Sequence, residues 1–276
     1  MAEAESRPGT GQGLWFAASV WLIVGLSVAY GFKWGAPELA SNRGTLDGLY
    51  SVIMAVTLPI YIIVQVVLGY FVFRYRDRPG APRSYWHESH KLEVAWTVGT
   101  ALVLVPIAFQ GMRLWNQVYA APPPNAFVVE VVGAQFQWDM RYPGPDGVFG
   151  ATKPELISIE NLLGIDRSDP AAKDDFVRTN ALVLPVDRPA IIRLRSKDVQ
   201  HAFFLPNFRV KQDLVPGMTI ETWFIPTKTG EFEIACAELC GLGHYRMRGL
   251  LNVMTQADVD KWLAEQVAME QALEVQ

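Results

Sequence analysis

Twelve residues near the carboxyl end of the chain contain a concentration of side chains that can bind a soft metal ion. The stretch reads Cys236-Ala-Glu-Leu-Cys240-Gly-Leu-Gly-His244-Tyr-Arg-Met247 and includes both cysteines of the chain and one of its four histidines. Thiolate, imidazole and thioether groups favour copper over magnesium or calcium, which prefer oxygen ligands. A mononuclear electron-transfer copper takes one Cys, two His and a weak axial Met, so the second cysteine suggests two coppers bridged by two thiolates.

Two copper ions would need a second imidazole, and His201 is the candidate outside this stretch. It lies in Asp198-Val-Gln-His201-Ala-Phe-Phe-Leu-Pro206, beside an apolar, strand-like run. The alternatives are a disulfide and a closed zinc site of two Cys and two His. A disulfide gives no reason for His244 and Met247 to follow Cys240, and a zinc site leaves Met247 unexplained.

The pattern Cys-x-Glu-x-Cys-Gly-x-x-His-x-x-Met resembles that of subunit II of the haem-copper oxidases, as do Asp-x-x-His and Lys-x-Asp-x-x-Pro-Gly (211–217) upstream. The resemblance implies a binuclear copper centre, CuA, whose ligands are the side chains of His201, Cys236, Cys240, His244 and Met247 and the backbone carbonyl of Glu238. It also implies that the Glu238 carboxylate faces a magnesium site shared with subunit I.

Three apolar runs indicate a membrane-spanning portion ahead of the metal-binding stretch. They cover residues 14–32, 49–73 and 94–112, and each is close to the roughly 20 residues that a helix needs to cross a bilayer. The first run could instead be a cleaved signal peptide. Residues 1–13, however, hold one Arg and two Glu where such a peptide has net positive charge, so we expect a retained helix.

The basic residues of the two short connections predict the orientation of these spans. Five Lys or Arg lie between the second and third runs, against two between the first and second. Because short cytoplasmic loops are rich in Lys and Arg, the second connection is expected in the cytoplasm. The amino terminus would then be cytoplasmic, and everything after the third span would lie on the periplasmic face of a bacterial inner membrane.

A second domain is expected after Pro122-Pro123-Pro124, because short β-branched and aromatic runs begin there. We therefore predict a membrane anchor at 1–121 and a periplasmic, cupredoxin-like Greek-key β-sandwich or barrel at 122–276. The predicted strands are 127–132, 135–141, 156–160, 181–185, 190–195, 219–224, 230–235 and 249–254. An amphipathic helix is predicted at 258–272.

The start of the third span carries a carboxylate, Glu93. A charge at the edge of a span is costly unless it has a partner or faces a polar pathway. The run Leu-Glu-x-x-Trp-Thr resembles the family segment at the mouth of a proton-uptake pathway into subunit I; the alternative is that Glu93 extends to the cytoplasmic interface. His87 and His90 are expected to be interfacial polar residues, because no third ligand type lies nearby.

The stretch Gly133-Ala-Gln-Phe136-Gln-Trp138 departs from the family pattern, which usually has Trp in place of Phe136 as the point where electrons arrive from cytochrome c. We expect electrons to enter at Phe136 and Trp138. From residue 116 onward there are 21 acidic and 15 basic residues, a formal charge of −6. Since a negative domain attracts a basic partner, we predict that a cytochrome c, or a c-type domain of a partner respiratory complex, docks over Phe136, Trp138 and the loop from Asp166 to Asp175.

The expected function is that of an electron-transfer subunit. A CuA centre would take single electrons from the donor and pass them to haems in subunit I, where oxygen is reduced to water with proton translocation. No Cys-x-x-Cys-His occurs, so no covalent haem is expected on this chain, nor is a nucleic-acid partner. The alternatives are a CuA-bearing subunit of a nitric oxide reductase, a copper-free structural subunit of a quinol oxidase, and a membrane-tethered copper-delivery protein.

Overall fold

The computed structural model describes residues 10–31, 35–76, 80 and 85–274. In these ranges the chain has four α-helices and two five-stranded β-sheets. The helices are α1 (Thr10–Gly31), α2 (Gly44–Arg74), α3 (His90–Val118) and α4 (Gln256–Glu274).

Helices α1, α2 and α3 are each long and apolar enough to cross a membrane. At most 11% of the most apolar window of any of them is buried by the rest of the chain. A helix that is apolar all round and uncovered by protein needs a non-aqueous surrounding, so the chain is membrane-anchored, as the three apolar runs predict. Helices α1 and α2 touch where Trp21 crosses Gly69, and a Cβ on this glycine would lie 2.4 Å from the indole nitrogen.

The ten strands after the third helix form a β-sandwich, which confirms the predicted fold class. They are β1 (Phe127–Ala134), β2 (Gln137–Tyr142), β3 (Phe176–Thr179), β4 (Ala181–Pro185), β5 (Ala190–Ser196), β6 (His201–Leu205), β7 (Val210–Leu214), β8 (Ile220–Phe224), β9 (Gly230–Cys236) and β10 (Arg248–Met254). The first sheet has the order β3-β2-β1-β5-β8 and the second sheet the order β4-β10-β9-β6-β7. Strands β1 and β5, and strands β4 and β10, pair in parallel, whereas the other neighbours are antiparallel.

Large side chains from both sheets fill the space between them. Trp138 of the first sheet and Phe203 of the second meet edge to face, with ring centroids 5.7 Å apart, and both are fully buried. Helix α4 closes one end, where Trp262 packs against Tyr142 and Phe176. Each such buried side chain contributes about 1.5–3 kcal/mol relative to exposure, and the result is a rigid support for the loops at the sheet ends.

The structure corrects the predicted strands in the middle of the domain. The prediction of a strand at 156–160 is wrong, because this segment makes local turns in which the Ile157 and Ser158 amides bond to Pro154 and Asn161. Strands β3, β6 and β7 were not among the predicted strands. Strand β6 matters most, since His201 is its first residue.

A short segment between α1 and α2, residues 36–44, packs with the β-sandwich. Ala40 is fully buried and its amide bonds to Asn207. Arg43 donates to the carbonyl of Trp223 at 2.6 Å. The structure groups Ala36–Gly44 with Val118–Gln276, whereas the sequence-based boundary assigned it to the anchor.

Candidate metal centre

Two adjacent antiparallel strands place the first two predicted ligands. His201 begins β6 and Cys236 ends β9, and the register sets Phe203 opposite Cys236. The amide of Ala237 donates to the carbonyl of Ala202 at 3.0 Å. The pairing therefore brings an imidazole and a thiol to the same edge of the second sheet.

The loop between β9 and β10 carries the other three predicted side-chain ligands, Cys240, His244 and Met247. A short helical turn at His244–Arg246 reverses the chain, and the Cys236 amide closes the loop by bonding to the Met247 carbonyl at 3.3 Å. Since β9 and β10 pair directly, both ends of the loop are fixed by the sheet.

Cys236 lies among three of the predicted donors. Its Sγ is 3.9 Å from Cys240 Sγ, 3.9 Å from His201 Nδ1 and 3.2 Å from the Glu238 carbonyl oxygen. A disulfide has sulfurs about 2.05 Å apart, and both cysteines here are free thiols. The structure therefore does not support the disulfide alternative.

Cys240 lies among the other two donors. Its Sγ is 3.6 Å from His244 Nδ1 and 3.7 Å from Met247 Sδ. Each thiol thus has its own imidazole, and the thioether lies beside only one of them. All the predicted ligand residues come together around the two sulfurs.

The chemistry of this donor set fits copper. Cys240, Met247 and His201 are buried, and burial together with the neighbouring Cys236 raises the pKa of the Cys240 thiol to about 11. A nearby cation favours the thiolate form of such a buried thiol, because it compensates the negative charge. The two thiols, two imidazoles and one thioether suit a soft ion, and a zinc site would not use the buried Met247.

Asp198 fixes the orientation of His201, a role that the sequence analysis did not assign. Its Oδ1 lies 2.8 Å from His201 Nε2, which leaves Nδ1 facing Cys236 and free for a metal. Burial alone would raise the pKa of Asp198. Its hydrogen bonds with the His201 ring and with the amides of Gln135 and Val199 outweigh that effect and lower the pKa.

The two aromatic residues predicted to receive electrons differ in their surroundings. The Phe136 ring is half-buried and lies against Gly241 and Gly243 of the ligand loop. Trp138 is fully buried, with its ring centroid 6.1 Å from that of His201. Trp138 itself therefore offers no exposed surface to a donor, and its part in electron entry stays a prediction.

The loop from Asp166 to Asp175 also differs from the prediction of an acidic docking surface. Asp175 is fully buried, forms an ion pair with Arg141 and accepts from the Gly150 amide. Asp166 is only 8% exposed and pairs with Lys153 at 2.6 Å. Asp175 is thus engaged inside the domain, whereas Asp166 pairs with a lysine whose side chain is 57% exposed.

Glu93 lies in the first turn of α3. Its Oε2 is 3.1 Å from His90 Nδ1, and its side chain is 48% exposed. His87 Nδ1 lies 3.1 Å from the Tyr85 hydroxyl. Within the described ranges, the group of His, Cys and acidic residues with metal-binding spacing is that around His201, Cys236 and Cys240.

Two family profiles match most of the chain. The profile described as "Cytochrome C oxidase subunit II, periplasmic domain" matches residues 127–254. The profile described as "Cytochrome C oxidase subunit II, transmembrane domain" matches residues 31–114. The first match contains every predicted copper ligand.

Two relatives are similar to this chain over most of its length. The chain is 38% identical over 234 residues to the alternative cytochrome c oxidase subunit 2 of Bradyrhizobium diazoefficiens, which covers 84% of each chain. It is 31% identical over 249 residues to cytochrome c oxidase subunit 2 of Cereibacter sphaeroides, covering 85% of this chain and 79% of the relative. Among solved structures, the periplasmic domain of subunit II of cytochrome oxidase from Bradyrhizobium japonicum is 31% identical, with a TM-score of 0.39, covering 52% of this chain and 95% of that one.

Proposed function

Because this chain belongs to the cytochrome c oxidase subunit II family and is a subunit of a haem-copper oxidase, we propose that its β-sandwich holds a binuclear copper centre that receives single electrons. The observation that carries the proposal is the convergence of the donors on two free thiols 3.9 Å apart. His201, Cys236, Cys240, His244 and Met247 would hold the two coppers, which when bound would supply a one-electron relay.

The protein contributes a rigid and partly buried surrounding for that relay. Cys236 and His201 are held by paired strands, and Asp198 keeps one nitrogen of His201 turned toward Cys236. Buried Met247 covers Cys240 on the inner side. Ligands that are fixed before the electron arrives move little when it does, which favours fast transfer.

We place the electron donor on the periplasmic side and the acceptor haems in subunit I. The orientation rests on the five basic residues between α2 and α3, which favour the cytoplasm of a bacterium. The donor is a cytochrome c or a c-type domain, and Phe136 is the contact we retain for it, since this ring lies on the ligand loop. The Glu238 carboxylate is assigned to a magnesium site shared with subunit I.

Glu93 is proposed as the mouth of a proton pathway into subunit I. It lies in the first turn of α3, at the end that the basic connection places in the cytoplasm. Its neighbour His90 can share a proton with it at 3.1 Å, which suits a surface that collects protons.

The copper content of the full-length chain tests the central proposal. We expect two coppers per wild-type chain and an electron-spin resonance spectrum of one unpaired electron delocalised over both. Cys236→Ser should abolish that signal, because its thiolate would be a principal ligand of the pair. Met247→Leu is the matched variant: it should keep both coppers and change the reduction potential, since a thioether would bind copper more weakly than a thiolate. One copper per wild-type chain would overturn the proposal.

A further inference from the structure

We propose that Gln135 is a positioning residue that joins the two ligand-bearing segments of the copper centre. This inference rests on the proposed copper function. Gln135 lies in the turn between β1 and β2, which belong to the first sheet, whereas the copper ligands lie on β6, on β9 and in the loop after β9, all in the second sheet. The residue therefore connects the two sheets at the end where the ligands meet.

The two hydrogen bonds of Gln135 point to different ligand segments. Its side-chain Nε2 donates to the carbonyl oxygen of Cys240 at 2.5 Å. Its backbone amide donates to Asp198 Oδ2 at 2.7 Å, and Asp198 Oδ1 in turn bonds His201. Gln135 thus links Asp198, which orients the His201 imidazole, to the backbone of Cys240.

The ligand loop lies tightly against the same turn. A Cβ on Gly241 would come within 2.8 Å of Gln135 Nε2, and a Cβ on Gly243 would come within 2.5 Å of the Phe136 ring. A side chain at either position would displace Gln135 or Phe136. The glycines thereby allow the loop to approach closely enough for the amide of Gln135 to reach Cys240.

The bond to Cys240 fixes a part of the loop that the sheet does not. Cys236 and Met247 are tied together by the backbone bond beside β9 and β10, whereas Cys240 lies four residues into the loop. The side-chain amide of Gln135 is a hydrogen-bond donor to the Cys240 carbonyl from outside the ligand loop. Its removal would leave the carbonyl without that donor. We therefore infer that this bond sets the distance between the two sulfurs.

Hydrogen exchange of the copper-free, full-length chain tests this role without depending on the metal. In Gln135→Ala, we expect the amides of residues 240–247 to exchange about twofold to tenfold faster, as loss of one net hydrogen bond implies. The rest of the β-sandwich should exchange as in wild type. Gln137→Ala is the matched control, because the Gln137 amide bonds Asp139 and not the loop.

A second variant separates loss of the bond from loss of side-chain bulk. Gln135→Glu keeps the length of the side chain, but its carboxylate cannot donate to a carbonyl, so the loop should loosen at least as much as in Gln135→Ala. In copper-loaded chains, both variants should shift the reduction potential and the hyperfine splitting, whereas Gln137→Ala should shift neither.

The outcomes distinguish this inference from the proposed function. Unchanged exchange at 240–247 in both Gln135 variants would overturn the positioning role, and so would faster exchange spread evenly over the whole sandwich. A loop that loosens in a protein whose wild type binds no copper pair would uphold the contact and reject the copper function.

Discussion

Removing the carboxylate of Asp198 should weaken copper binding without unfolding the domain. Asp198→Ala removes the partner of His201 Nε2, which lies 2.8 Å from Asp198 Oδ1. It also removes the acceptor of the Gln135 amide. The imidazole would then be free to rotate and to place its proton on either nitrogen, so a fraction of molecules would present the wrong face to the metal.

The size of this effect follows from the surroundings of the carboxylate. Loss of a partner that orients a metal-binding histidine typically costs about 10- to 100-fold in metal affinity, or about 1.4–2.8 kcal/mol. The Asp198 side chain is 30% exposed, so water can replace part of the lost interaction. We therefore expect the lower part of that range, about 10- to 30-fold. Asp198→Asn keeps an acceptor oxygen and should lose less.

Competition titration with a copper chelator of known affinity measures this loss directly. Asp213→Ala is the matched control, because the Asp213 side chain is similarly exposed (37%) but pairs with Lys211 and Gln200 instead of a ligand. Equal affinity of Asp198→Ala and wild type would refute the reasoning. A loss of the same size in Asp213→Ala would assign the effect to surface charge in general.

Three further changes test other parts of the structure. Gly243→Ala places a methyl 2.5 Å from the Phe136 ring and should cost about 1–3 kcal/mol of stability; an unchanged unfolding temperature would contradict it. Asp175→Asn breaks the buried pair with Arg141 and should cost about 3 kcal/mol in denaturant unfolding, while the salt dependence of electron transfer from the donor stays as in wild type. Glu93→Gln should slow steady-state turnover of the oxidase complex without slowing electron arrival at copper; wild-type turnover would return Glu93 to a purely interfacial role.

The ligand set could be predicted because most of it is local in sequence. Four predicted side-chain ligands fall within twelve residues, and their residue types alone indicate a site for a soft metal ion. The membrane spans could also be predicted, since the thickness of a bilayer sets the length of an apolar helix that crosses it. The role of Gln135 could not be predicted, because its contact is made with a residue that the fold brings close: Gln135 and Cys240 are 105 positions apart. Asp198 stood in the quoted Asp-x-x-His motif, but the motif alone does not show which atom of His201 its carboxylate contacts.

The burial of Asp175 could not be predicted for a related reason. A run of aspartates in sequence suggests a solvated charge cluster, but Asp175 finds its partner in Arg141, 34 residues earlier. Arg141 also lies 3.4 Å from Glu130. The buried guanidinium of Arg141 is thus paired with the carboxylates of both Asp175 and Glu130. The segment 156–160 likewise forms local hydrogen-bonded turns instead of the predicted strand.

The packing of residues 36–44 on the β-sandwich makes this domain discontinuous in sequence. One piece is the segment between α1 and α2, and the other starts at Val118. A soluble fragment cut at the proline-rich linker would lack the first piece. It would lose the buried Ala40, the bridge between Ser41 and Pro226 and the Arg43 bond to Trp223. The β-sandwich unit is thus complementary to a peptide of its own chain, so supplying residues 36–44 separately should restore the stability of such a fragment.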